Sequence, residues 1–162
     1  MKKYKTLIII LNLVILLTYF NYSVIKKEEL LKNGQLILLE LTPADPLSLM
    51  QGYYMALRYR ISDSIDYQNM PKRGYCVVEI DDNGVAGKVR FQKYLTPLNE
   101  GEYLIEYTAF NRRNVSIGAE SFFFQEGQAE KYEKAKYGGL KIDKKGNSLL
   151  IGLYDEELRK IE

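Results

Sequence analysis

Thr6 to Ile25 contain no charged side chain, and this run limits the possible folds more than any other feature. Twenty helical residues rise about 30 Å, the thickness of a bilayer's hydrocarbon core. The run is apolar on every side, so it lacks the polar face that a core helix of a soluble protein turns to water. Three lysines precede it in MKKYK, and the mixed stretch KKEE follows from Lys26. The alternative, a cleaved signal peptide, calls for a shorter apolar core and small residues at a cleavage site. The residues there, YFNYSVIKK, are bulky. We therefore expect an uncleaved signal anchor in the cytoplasmic (inner) membrane, with the lysine-rich end inside the cell. Residues 1–5 are then cytoplasmic, 6–25 span the lipid bilayer, 26–34 form a stalk, and 35–162 form a domain outside, periplasmic where the cell has an outer membrane. Asn12 falls inside the span. Its amide is suited to hydrogen-bonding another membrane helix, although a hydrophobic span also tolerates a lone asparagine.

Without the three leading lysines the chain carries 20 Lys and Arg against 21 Asp and Glu. The excess of positive charge belongs to the N-terminal tail, and the domain is near neutral. That argues against nucleic acid as a partner, because phosphate binding needs a basic surface. The single cysteine, Cys76, excludes an internal disulfide. It alternates with Val78 and Ile80 in YCVVEI, the position of a small core residue rather than a reactive thiol.

After Gly34 the chain reads as strands. QLILLEL (35–41) is a continuous apolar run, suited to a strand covered on both faces. YMALRYRIS (54–62) alternates and, counted from the preceding Tyr53, puts Tyr53, Met55, Leu57, Tyr59 and Ile61 on one side and Tyr54, Ala56, Arg58 and Arg60 on the other. GYCVVEI (74–80) and KVRFQKY (88–94) flank DDNG, a tight-turn signal. EYLIEYTAF (102–110) and SIGAESFFF (116–124) are also strand-like. EGQAEKYEKAKY (126–137) switches to helix formers, and a last hairpin runs through a KKGN turn into SLLIGLY (148–154). The expected class is mainly β: an antiparallel β-barrel or sandwich with one short helix, behind a transmembrane helix. Before the second strand, Asp45 and Pro46 suit an N-cap and first helical position, and Gly52 a positive-φ ending.

The block DPLSLMQGYYMALRYRI, followed by IGAESFFFQEG, resembles the GDYXXLXP family of bacterial membrane-anchored proteins. Gly52, Tyr54 and Leu57 match its first motif, whereas Tyr53 stands in place of its aspartate and Tyr59 in place of its proline. Gly118, Glu120, Phe122, Phe123, Glu126 and Gly127 match a second pattern, and Gly146, Leu150, Gly152 and Leu153 a closing hairpin. The resemblance implies an anchored extracytoplasmic β domain, often encoded beside a multi-pass membrane protein, and no particular reaction.

The sequence contains no histidine, which excludes Ser-His and Cys-His nucleophile pairs and histidine-ligated metals. No nucleotide-binding glycine loop occurs. One enzyme reading survives: SLMQGYYMAL also faintly resembles the serine region of membrane-anchored signal peptidases, with Ser48 as nucleophile and Lys88 or Lys93 as its base. A second reading uses the 14 tyrosines and six phenylalanines to bind a glycan or lipid in a barrel mouth. The reading adopted is a non-catalytic accessory or binding partner of another envelope membrane protein, without cofactor or metal. Its candidate binding residues are Arg58, Arg60, Glu120 and Glu126, which could equally serve only to stabilise the fold.

Overall fold

The computed structural model describes residues 2–42, 54–62, 70–110 and 114–162. Asp45, Pro46, Ser48, Gly52 and Tyr53, and with them the expected capped turn, lie outside the described residues. Helix α1, Lys2–Asn33, contains the apolar run and continues through KKEELLKN without a break. Its large apolar side chains from Leu7 to Ile25 are exposed. Among the described residues it is the one helix long and apolar enough to cross a membrane, as an anchor or a signal sequence does.

Nine strands follow among the described residues: β1 Gln35–Glu40, β2 Tyr54–Ala56, β3 Arg73–Ile80, β4 Ala86–Gln92, β5 Glu102–Phe110, β6 Asn114–Ser116, β7 Ser121–Phe123, β8 Tyr137–Ile142 and β9 Ser148–Tyr154. One four-residue helix, α2, occupies Ala129–Tyr132. The strands form three open antiparallel sheets and not a closed barrel: β1-β8-β9, β2-β7 and β4-β3-β5-β6. In the largest sheet β3 is central, with Cys76 opposite Phe91 on one side and Ile105 on the other. One core joins all three sheets through Ile37, Leu39, Met55, Leu57, Tyr59, Cys76, Val78, Ile105, Tyr107, Leu140 and Leu153. Cys76 is fully buried there, and burial pushes its thiol up to about 12. It is a core residue.

The helix is seated on this body. Gly34 N–H donates to the Leu30 carbonyl at 2.9 Å, and Lys141 Nζ donates to the Gly34 carbonyl at 2.8 Å. Leu30 is buried, and the end of α1 packs against β8 and β9. A Cβ on Gly34 would lie 2.4 Å from the Leu30 carbonyl oxygen, so the joint has no room for a side chain.

Three turns share one design. Asp81 Oδ1 accepts the N–H groups of Asn83 and Val85. Asp143 Oδ1 does the same for Lys145 and Asn147, and Asp155 Oδ1 for Glu157 and Arg159. The fourth residue of each takes positive φ: Gly84, Gly146 and Leu158. An aspartate that holds its own turn by backbone bonds explains why these hairpins close where they do.

The structure departs from the sequence reading at three elements. Residues 54–62 do not make one strand: β2 ends at Ala56, and Arg60–Ser62 form a 3-10 turn. The segment changes partners on the way, for Leu57 N–H donates to the Glu120 carbonyl while the Arg58 carbonyl accepts from Thr42 N–H. Residues 116–124 divide into β6 and β7 around a turn at Gly118. The helix expected over 126–137 shrinks to α2, because Gly127 takes φ of 81° before it and Lys136 N–H is drawn to the Tyr154 carbonyl after it.

A clamp closes the β4–β5 loop. Arg90 pairs bidentately with Glu102, and Asn99 N–H donates to the same carboxylate at 2.8 Å. The Glu102 side chain is only 7% exposed. The Arg90 hydrogen bond and the Asn99 N–H hold its carboxyl at about 2, below the ordinary 4.5. A depressed folded value means that the clamp stabilises fully above pH 4.5 and is lost as pH falls toward 2. Melting temperature measured against pH should therefore fall more steeply on the acid side for the native chain than for Glu102→Gln. Parallel curves would show that the clamp carries no pH-linked stability.

Candidate functional site

The two blocks singled out in the sequence meet as neighbouring strands. Tyr54 lies opposite Phe123, Met55 opposite Phe122 and Ala56 opposite Ser121 in the β2–β7 pair. Period-two alternation sends Met55, Leu57 and Tyr59 inward, all buried, and leaves Ala56 and Arg58 exposed. Phe122 turns inward to meet Tyr132 of α2 edge-on at 4.9 Å, and Phe124 meets the same ring at 5.6 Å.

The outer face is unusual. Phe123 is 74% exposed, and its ring stands 5.9 Å from that of half-buried Tyr54, tilted by 41°. Arg58 follows on the same face, and its side chain has no hydrogen-bond or ion-pair partner among the described residues. An aromatic pair beside an uncommitted guanidinium offers apolar area, a phenol and a cation within one surface.

The inner face performs a different task. Tyr59 is 1% exposed, and its hydroxyl donates to the Ala119 carbonyl at 2.6 Å. Its ring lies so close to β8 that a Cβ on Gly138 would come within 2.9 Å of it. Burial first, and the charge of Glu120 second, push its phenol far above the ordinary value. The neutral form is the stabilising one, so its contribution is complete below pH 10 and falls as the solution becomes more alkaline.

The four candidate binding residues separate. Arg60 is exposed and pairs with Glu40 through two bonds of 2.8 Å. Glu120 accepts from Ser116 Oγ at 2.9 Å and from the Ile117 N–H, which folds its carboxylate onto the turn at Gly118, where φ is 78°. Glu126 is exposed in the turn that ends at Gly127. No hydrogen bond or ion pair joins any two of the four among the described residues, and Arg58 alone follows Tyr54 on the same face, two residues past the end of β2. Of the lysines considered as a base, Lys88 donates to the Ile61 carbonyl at 3.4 Å and stands 5.5 Å from the Phe91 ring. Lys93 stands 5.4 Å over Tyr94. Among the described residues no three His, Cys, Asp or Glu side chains gather where they could hold a metal ion.

Sequence reasoning missed the Tyr59 bond to Ala119 and the Arg90–Glu102 clamp. The first had a signal: an inward tyrosine between Leu57 and Ile61 needs a buried acceptor for its hydroxyl. The second had none, because nothing in the order of residues joins Arg90 to Glu102.

Together the fold and this face define a class: an antiparallel β domain that follows a membrane-competent helix and displays an aromatic pair on its smallest sheet. The chain belongs to the GDYXXLXY family, whose model matches residues 16–153. The last letter of that description falls on Tyr59, so the tyrosine set against a proline in the sequence comparison conforms to the family, and Tyr53 for aspartate is the one departure. Comparison with curated proteins gives no match, and neither does comparison with solved structures.

Removing the Tyr59 hydroxyl leaves a buried carbonyl unpaired, which costs roughly 1–2 kcal/mol. Tyr59→Phe should lower the stability measured by denaturant unfolding by that amount, whereas Phe123→Ser should change it by less than about 0.5 kcal/mol. Equal losses would show that the outer face is part of the fold.

Proposed function

We propose that this protein is a single-pass anchored β domain, facing outward from the cytoplasmic membrane, that serves as a non-catalytic accessory or binding partner of another envelope membrane protein. The observation that carries this reading is the Tyr54–Phe123 pair beside Arg58. Large aromatics at the surface cost solubility unless something covers them, and tyrosine, phenylalanine and arginine are the side chains that anchor protein interfaces. The family motif itself supplies the position of Tyr54. Lysines before the span and mixed charges after it support the outward orientation.

In the proposed arrangement Phe123 and Tyr54 seat in an apolar recess of the partner, and Arg58 meets an acceptor at its rim. Arg60 and Glu120 support that surface from within the fold, through Glu40 and the Ser116–Gly118 turn. The test is affinity purification of the intact chain from native membranes in mild detergent, with mass spectrometry of what accompanies it. A membrane protein should be recovered in near-equal amounts with the native chain and be lost from a Tyr54→Ser/Phe123→Ser variant of unchanged melting temperature. Recovery of the chain alone, or an undiminished partner with the variant, would sink the reading.

A further inference from the structure

The polar residues of the apolar run differ in how they are satisfied. Thr18 Oγ1 donates to the Val14 carbonyl and Asn21 Nδ2 to the Leu17 carbonyl, each at 2.8 Å, so both are bonded within their own helix. The Asn12 side chain has no hydrogen bond among the described residues. It lies about 9 Å inside the Thr6 end of the span and about 20 Å from the Ile25 end, at 1.5 Å per residue. Both distances place its amide in hydrocarbon, where an unpaired amide is costly.

Asn12 also has distinctive company. At about 100° per residue, Tyr4, Ile8, Asn12, Ile15, Tyr19 and Tyr22 fall within an arc of about 80°. The first 25 residues contain three tyrosines, and all three are in this stripe. All three are more than half exposed. Of the fifteen other residues in the run, ten are Leu, Ile or Val, and Thr18 and Asn21 turn their polar groups back onto the helix. The spacing of four, four, three, four and three is the seam of helices that cross at about 20° in a left-handed pair. Leu30, at the edge of the same arc, is already buried, so the seam ends at Tyr22.

We propose that α1 pairs in the bilayer with a second copy of this chain along the Tyr4–Tyr22 stripe, with the two Asn12 amides hydrogen-bonded reciprocally. The occupant follows from the amide's chemistry. Asparagine carries both an acceptor oxygen and an N–H donor, so across a two-fold axis the same residue satisfies itself, and no other polar side chain is needed. The inference rests on the anchored reading of α1 and is independent of the Tyr54–Phe123 surface.

The experiment uses the intact chain in phosphatidylcholine vesicles. Single cysteines are introduced in turn from Leu7 to Tyr22, while native Cys76 stays buried. Oxidative cross-linking should peak at Ile8→Cys, Ile15→Cys and Tyr19→Cys and be minimal at Leu13→Cys and Leu17→Cys. Energy transfer between labelled copies, followed as lipid is added, should show dimerisation weakened about 5- to 30-fold by Asn12→Leu and largely retained by Asn12→Gln. Cross-linking that is uniform around the helix, or dimerisation untouched by Asn12→Leu, would overturn the pairing while leaving the anchor intact. A chain that fails to float with the vesicles would overturn both.

Discussion

The domain turns on the Tyr59 side chain. Its hydroxyl reaches the Ala119 carbonyl across 60 residues of sequence, and its ring fills the space that Gly138 leaves open on β8. The first contact fixes the chain that leads into β7, and the second fixes the β1-β8-β9 sheet against it. Without such a lock the β2–β7 pair has little to hold it. Two strands of three residues are too short to be stable alone in water. They persist because Met55, Leu57 and Tyr59 enter the common core and because the Leu57 N–H continues the pairing to the Glu120 carbonyl.

The base of the domain shows the same economy of contact. Gly34 accepts the Lys141 ammonium with its carbonyl and gives its N–H to the last turn of α1. The helix therefore passes into β1 after a single residue, with no free linker between them. If α1 is anchored through Ile25, the eight helical residues that follow rise about 12 Å, and the domain is carried close above the lipid headgroups. A surface held in that way meets membrane partners at a restricted height, which favours a docking face over a freely searching one.

Strand parity was the most legible part of the fold. The inward set Met55, Leu57, Tyr59 and Ile61, the burial of Cys76, and the turns at Asp81 and Asp143 all follow from period-two alternation and turn chemistry. The turn at Asp155 was hidden because Leu158 occupies the positive-φ position that glycine marks in the other two. The breaks at Leu57 and Gly118 were hidden for another reason. Continuous β-forming sequence does not say when a strand changes partners; that depends on Thr42 and Glu120 arriving from elsewhere. The candidate site was legible only in part. Arg58 and Arg60 look alike in sequence, and only the proximity of Glu40, brought from β1, commits one of them to the fold.

The spacing of the family motif carries its own argument. In an extended chain, residues an odd number apart face opposite ways and residues an even number apart face the same way. Leu57 and Tyr59 are two apart, and both enter the core. Tyr54 is three from Leu57 and five from Tyr59, so the geometry that buries those two turns Tyr54 outward. Packing thus accounts for the last two letters of Y-x-x-L-x-Y and cannot account for the first. Phe123, opposite Tyr54 in the register, is outward for the same reason and is bulky where a solvated edge would tolerate a serine or a lysine. What the core leaves unexplained in these strands is one aromatic pair, and it is at the surface.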